Sequence, residues 1–198
     1  MNRKMWDQLV STGALVVAVV LIVLGGLAVF GGNFGRQNVT DRLAPEKVFF
    51  APLSAMSPEE KASVGAFAGQ QVTTGPQAEA FSRYIAGHLE FINDGKTYAE
   101  TSAAARVEGL DPKFAADLSA KADTLFKGEM LRSTMLNAYG WWTVATIALF
   151  AGYVMIGAGL ILLVLALLGF RHAKRATTSV PAAERVITPE RELAGLSV

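Results

Sequence analysis

Two stretches of this chain carry no charged side chain, and each is long enough to cross a lipid bilayer. The first, LVSTGALVVAVVLIVLGGLAVF, runs from Leu9 to Phe30; the second, WWTVATIALFAGYVMIGAGLILLVLALLGF, runs from Trp141 to Phe170. A helix needs about 20 apolar residues to cover a hydrocarbon layer of about 30 Å, and both stretches meet that length. Helices buried inside soluble proteins rarely run so far without a charge. Of the 198 residues 52% are apolar, and they are concentrated in these two blocks. Two membrane spans are therefore expected, over residues 9–31 and 141–170.

Arg3 and Lys4 make a short positive flank ahead of the first block, as in a signal peptide. The apolar run is longer than the roughly 7–15 residues of a signal-peptide core, however, and no A-x-A site follows it. Cleavage in the small residues of GGNFG after Phe30 is the weaker reading. The chain has no cysteine, which removes disulfides, lipid attachment through a thiol, thiolate metal sites and cysteine nucleophiles.

The net charge of +1 is unevenly distributed. Residues 32–140 hold 11 basic and 13 acidic side chains, whereas residues 171–198 hold five basic and three acidic ones. RHAKR, Arg171 to Arg175, abuts the second block as a cytoplasmic stop-transfer cluster would. The expected topology places residues 1–8 and 171–198 in the cytoplasm and 32–140 outside the cytoplasmic membrane. Arg36, Arg42, Lys127 and Arg132 count for little against it, because segments this long are translocated largely regardless of charge.

The central segment has helical punctuation. Ser57 with Pro58 and Glu60 reads as an N-cap, a first helical position and a capping box, with the helix over by Gly69. A second helix is expected from Pro76, with Phe81, Ile85, Leu89 and Ile92 on one face and Asn93-Asp94-Gly95 as its stop. Thr97 and Glu100 form another capping box. Asp111 caps a helix that opens at Pro112 and places Phe114, Leu118, Ala122 and Leu125 on one face. That stripe fails at Glu129 and Arg132, and a new one starts at Leu131, Met135, Ala138 and Trp142. A helix end or kink near Gly128 is expected, followed by a helix continuous with the span. Tyr139, Trp141 and Trp142 read as aromatics of the water–lipid boundary, and Arg171, Lys174 and Arg175 as its basic counterpart. Residues 32–58, with Pro45 and Pro52, read as extended and partly ordered, and the tail 171–198 as disordered.

Both apolar blocks carry small residues at a seven-residue period. Ser11, Ala18, Gly25 and Gly32 do so in the first, with Ala14 and Ala28 at an offset of three. Ala145, Gly152, Gly159 and Ala166 do so in the second, with Ala148 and Gly169 at that offset. Small side chains let backbones approach closely, and a seven-residue period suits a left-handed crossing near +20°. The expected meaning is a packing seam, within one chain or against another subunit.

Little catalytic chemistry is legible. His88 stands next to an apolar face without a second His or a spaced carboxylate, which reads as an ordinary partly buried or surface histidine, and His172 as a membrane-edge residue. Glu59, Glu60, Asp94, Glu100 and Asp111 are explained as caps, first-turn charges and turn residues. Phosphate-binding glycine loops, zinc motifs and serine elbows are absent, and the blocks hold no ionisable residue for a proton relay. A basic stripe with interleaved aromatics, which nucleic-acid binding would need, is also absent. The expected partners are membrane lipid and a membrane protein or second copy of the chain, with no cofactor and no metal.

FAGQQVTTGPQAEAFSRYIAGHLE (Phe67 to Glu90), GKTYAE (Gly95 to Glu100) and TLFKGEMLRSTMLNAYGWW (Thr124 to Trp142) resemble a family of uncharacterised two-span membrane proteins from actinobacteria. The resemblance covers residues 43–170 and implies an all-α membrane protein: a transmembrane hairpin with a small helical extracytoplasmic domain inserted between its helices. It implies no activity. The aromatic-ring dioxygenase role assigned to some related members needs metal-binding His and carboxylate sets, and two histidines do not supply them. The expected function is that of a non-enzymatic accessory or scaffold subunit, with a ligand-binding or sensory protein as the alternative. Reporter fusions at residue 80 should be active outside the membrane and those at residue 185 inside; the opposite pattern would overturn this topology.

Overall fold

The computed structural model describes residues 3–175. They form α1 (Arg3–Leu43), α2 (Pro58–Val64), α3 (Gly75–Ile92), α4 (Tyr98–Ala104) and α5 (Pro112–Arg175), with short 3-10 turns at Ala44–Glu46, Leu53–Ala55 and Gly65–Phe67. Among the described residues extended pairing is limited to one antiparallel bridge, Phe49 to Gln71. The protein is therefore all-α. Two of its helices, α1 and α5, are long and apolar enough to cross a membrane. The disorder expected for the tail lies outside the described residues from 176 onward, while Arg171 to Arg175 are the last residues of α5.

The local signals act as physical chemistry requires. The Ser57 hydroxyl accepts from the Glu60 amide at 3.2 Å while the Glu60 carboxylate accepts from the Ser57 amide at 2.7 Å, opening α2. Thr97 and Glu100 repeat the exchange at the start of α4, and Asp111 accepts from the Lys113 and Phe114 amides at the start of α5. Helix α3 begins at Gly75, one residue earlier than expected, because Thr74 caps it through Gln77.

Two expectations are corrected. The segment after the first apolar block is not extended: α1 continues through Gly32 to Leu43. Side-chain bonds one turn apart support it, Gln37 to Asp41 at 2.8 Å and Arg42 to Asn38 at 2.9 Å, while Val39 and Leu43 are buried. Nor does the helix end near Gly128, since α5 is one helix of 64 residues. Gly128 is instead a notch. A Cβ there would lie 2.9 Å from Leu89 Cδ1, so the missing side chain is the space that Leu89 of α3 occupies. A mid-helix glycine costs about 1 kcal/mol relative to alanine, and the close packing of Leu89 offsets it.

The described residues divide into two compact units, Gly25–Tyr153 and the segments on either side of it, 3–24 with 154–175. In the first, Phe50 is 2% exposed, stacks on Phe67 with centroids 5.5 Å apart and meets Phe81 edge-on at 5.2 Å. Val39, Leu43, Val64, Val72, Leu125 and Met135 complete the core around it. The loops that hold Phe50 are tied by backbone bonds, Phe50 to Gln70 at 3.0 Å and Val72 to Val48 at 2.9 Å, with Gly69 at φ 70° turning the chain between them. Phe81, Ile85 and Leu89 face this core as expected, but Ile92 is 41% exposed at the end of α3.

In the same unit α1 meets α5 through small residues. A Cβ on Gly32 would stand 2.7 Å from the Ala145 carbonyl oxygen and 2.8 Å from the Leu149 amide nitrogen. One on Gly152 would stand 2.7 Å from the Gly25 carbonyl oxygen. Within the other unit, Gly159 lies against Ala18 and Ile22, and Gly169 against Ser11. Gly157, on the same helix, has nothing within 4 Å of its missing Cβ. Gly152→Ile should therefore destabilise the protein in detergent by about 1–3 kcal/mol or more, since backbone cannot yield to the added atoms. Gly157→Ile should change little. Thermal unfolding monitored by circular dichroism reads both, and equal midpoints for the two variants would refute the seam.

Candidate functional site

The molecule concentrates its specific packing at the seam and at the joint where α1, α3 and α5 meet. All eight seam residues, Ser11, Ala18, Gly25, Gly32, Ala145, Gly152, Gly159 and Ala166, are buried. The period extends one step further on each helix, to Val39 at 7% exposure and Ala173 at 2%. The faces turned away from the seam are apolar and open, with Val16, Val20, Val23 and Leu27 on α1 and Ile147, Val154, Ile161 and Leu168 on α5 all exposed.

The boundary aromatics separate into two kinds. Trp141 is 65% exposed and Tyr139 38%, whereas the Trp142 ring is partly buried at the joint. On one side it fills the space left by Gly75, the first residue of α3, where a Cβ would collide with the indole. Arg36 of α1 also stacks on this ring, its guanidinium carbon 4.5 Å from the centroid. Such a contact contributes about 0.5–2 kcal/mol, more when water is kept away. Trp142 thus couples three helices. Arg171 and Lys174 are exposed near the end of α5, and Arg175 closes that helix with its side chain outside the described set.

Several polar groups of this unit are engaged, while Arg132 Nε is buried without a hydrogen-bond partner. Gln77 Oε1 accepts from the Thr73 and Thr74 amides at 2.9 and 3.1 Å, and Gln71 donates to the Ala44 carbonyl at 2.6 Å, fixing the chain at the end of α1. His88 lies between the Glu60 carboxylate, 3.2 Å from Nε2, and the Tyr84 carbonyl, 3.0 Å from Nδ1. Its ring also meets Tyr84 edge-on at 4.5 Å. Partial burial, and then the Glu60 charge, raise the Tyr84 phenol above its usual range. Glu100 is held below the usual carboxylate range by the Thr97 amide first and the Thr97 hydroxyl second. Asn93 donates to Thr101 in a buried contact that ties the end of α3 to α4. Among the described residues no three His, Asp or Glu side chains converge. What the arrangement does is hold helices together through backbone proximity and fixed side chains.

Sequence reasoning did not find the Arg36–Trp142–Gly75 contact. A glycine at the first position of a helix, directly after a capping threonine, was the available signal for close approach. Nothing local pairs it with a tryptophan so far along the chain. Comparison with protein-family models, curated proteins and solved structures finds no match to this chain.

Gly75→Val should lower stability by about 1–3 kcal/mol by forcing the indole out of its place, and Arg36→Gln by less, about 0.5–2 kcal/mol. Denaturant titration of the detergent-solubilised protein checks both. A Gly75→Val midpoint equal to that of the parent would show that Trp142 does not pack there.

Proposed function

We propose that the chain is a non-enzymatic integral protein of the cytoplasmic membrane, acting as an accessory or scaffold subunit through helix and ectodomain contacts. In this reading α1 and α5 form a transmembrane hairpin, both termini are cytoplasmic, and the helical domain between them is extracytoplasmic. Membership of a two-span actinobacterial family belongs to the same proposal.

One observation carries it: small residues are spent on the inner faces of α1 and α5 while large apolar side chains fill their outer faces. In water that distribution is unfavourable, because exposed apolar area costs about 25 cal/mol per Å2. In lipid it is the expected one, since hydrocarbon solvates the outer faces and close backbone packing supplies the attraction between helices. Arg171 and Lys174 then stand at the cytoplasmic headgroups, where each charge contributes about 1 kcal/mol with anionic lipid. The domain offers apolar side chains to a partner, with Phe91 89% exposed, Val107 60% and Phe114 52%.

Gentle detergent purification of tagged protein, with co-purifying proteins quantified, tests the accessory role. A single membrane protein should appear in stoichiometric amount and be lost from a Phe91→Asp variant that keeps its unfolding midpoint. A partner-free monomer or homo-oligomer under the same conditions would overturn it.

A further inference from the structure

A cavity of about 290 Å3 opens between α4 and the first part of α5, wholly within the larger compact unit. Its lining combines two kinds of chemistry. Tyr98 of α4 and Phe126 of α5 form an aromatic wall, their centroids 5.5 Å apart and their planes tilted by 49°. Ser102, one turn along α4 from Tyr98, and Arg106 add polar groups. Ser102 is 8% exposed and accepts a hydrogen bond from Arg106 Nη2, which positions the guanidinium at the solvent-facing side of the cavity. The other charged residue of the lining, Asp123, is bonded to Lys127 at 2.6 Å. No described carboxylate lies within ion-pair distance of Arg106. The cavity therefore presents one carboxylate with a lysine partner and one guanidinium without a carboxylate partner.

The backbone beneath is fixed. The Thr97–Glu100 capping box opens α4, and the buried Asn93–Thr101 contact anchors its first turn, so Ser102 stands on a constrained element. Preorganisation of this kind reduces the cost of binding.

We propose that this cavity binds a small amphipathic monocarboxylate, an aryl- or short alkyl-substituted acid, with its carboxylate on Arg106 and its apolar body against Tyr98 and Phe126. A guanidinium presents paired donors in a plane that matches a carboxylate and is only weakly hydrated, which favours it over an ammonium for this task. The aromatic wall rewards an apolar body, which inorganic phosphate lacks. The volume, at the lower end of small-molecule pockets of about 300–1,000 Å3, accommodates a single ring or short chain.

The test uses the full chain in lipid nanodiscs, with 3-phenylpropanoate as probe, its uncharged amide as control and empty discs as blank. Equilibrium dialysis should show saturable binding of the acid to loaded discs. The amide, and the acid with Arg106→Gln, should each bind about tenfold or more weakly, the loss expected for a charge-assisted hydrogen bond. Phe126→Ala should also weaken the acid, by removing part of the aromatic wall. Equal binding of acid and amide to the unaltered protein would overturn the proposal without reliance on any variant. So would absence of saturation, or unaltered affinity in a folded Arg106→Gln protein. The accessory role is read by co-purification instead, so the two can fail separately.

Discussion

Backbone-to-backbone approach between α1 and α5 is the constraint on which the rest depends. At Gly32 and Gly152, and separately at Gly159, any atom beyond hydrogen would overlap a carbonyl or amide of the opposing helix. Dispersion is weak per atom pair but dense where two main chains touch, and it does not require the partner surface to be excluded from water. That independence from solvent distinguishes the seam from the core around Phe50. The core gathers large rings and branched side chains and gains chiefly from their removal from water. One protein thus uses two packing regimes, and α1 and α5 take part in both, since Val39, Leu43, Leu125 and Met135 belong to the core.

Those two regimes were unequally legible. The small-residue period was plain in the sequence because a seven-residue repeat of Gly, Ala and Ser is a local pattern in each helix. The caps at Ser57, Thr97 and Asp111 were equally plain, since a side chain bonding its neighbouring amide involves only a few consecutive residues. What escaped was set by distant partners. Residues 32–43 belong to the stretch that Pro45 and Pro52 make read as extended, yet the helix continues because Val39 and Leu43 have a core to enter. The glycine at 128 looked like a break because its reason for being small, Leu89, lies on another helix. Phe50 carries no periodic signal, being held by loop hydrogen bonds beside the single Phe49–Gln71 bridge.

The polar chemistry follows from the same economy. His88 is engaged by Glu60 and Tyr84, and Asn93 by Thr101 and the Lys96 carbonyl, so these polar side chains are occupied in joining elements. Pairing of this kind keeps α2, α3 and α4 in register around a modest core. It leaves Arg106 distinctive among the cations of the domain, beside an aromatic wall and bonded to a buried hydroxyl.

The placement of Trp142 has a spectroscopic consequence. The chain has three tryptophans, and the other two, Trp6 and Trp141, are 51% and 65% exposed. Only Trp142 is stacked beneath a guanidinium and pressed against a helix start. Its indole excited state is polarised by that fixed cation, so its emission carries a signature that the two exposed rings lack. The protein contains its own optical gauge of whether α1, α3 and α5 are engaged, with no label to attach.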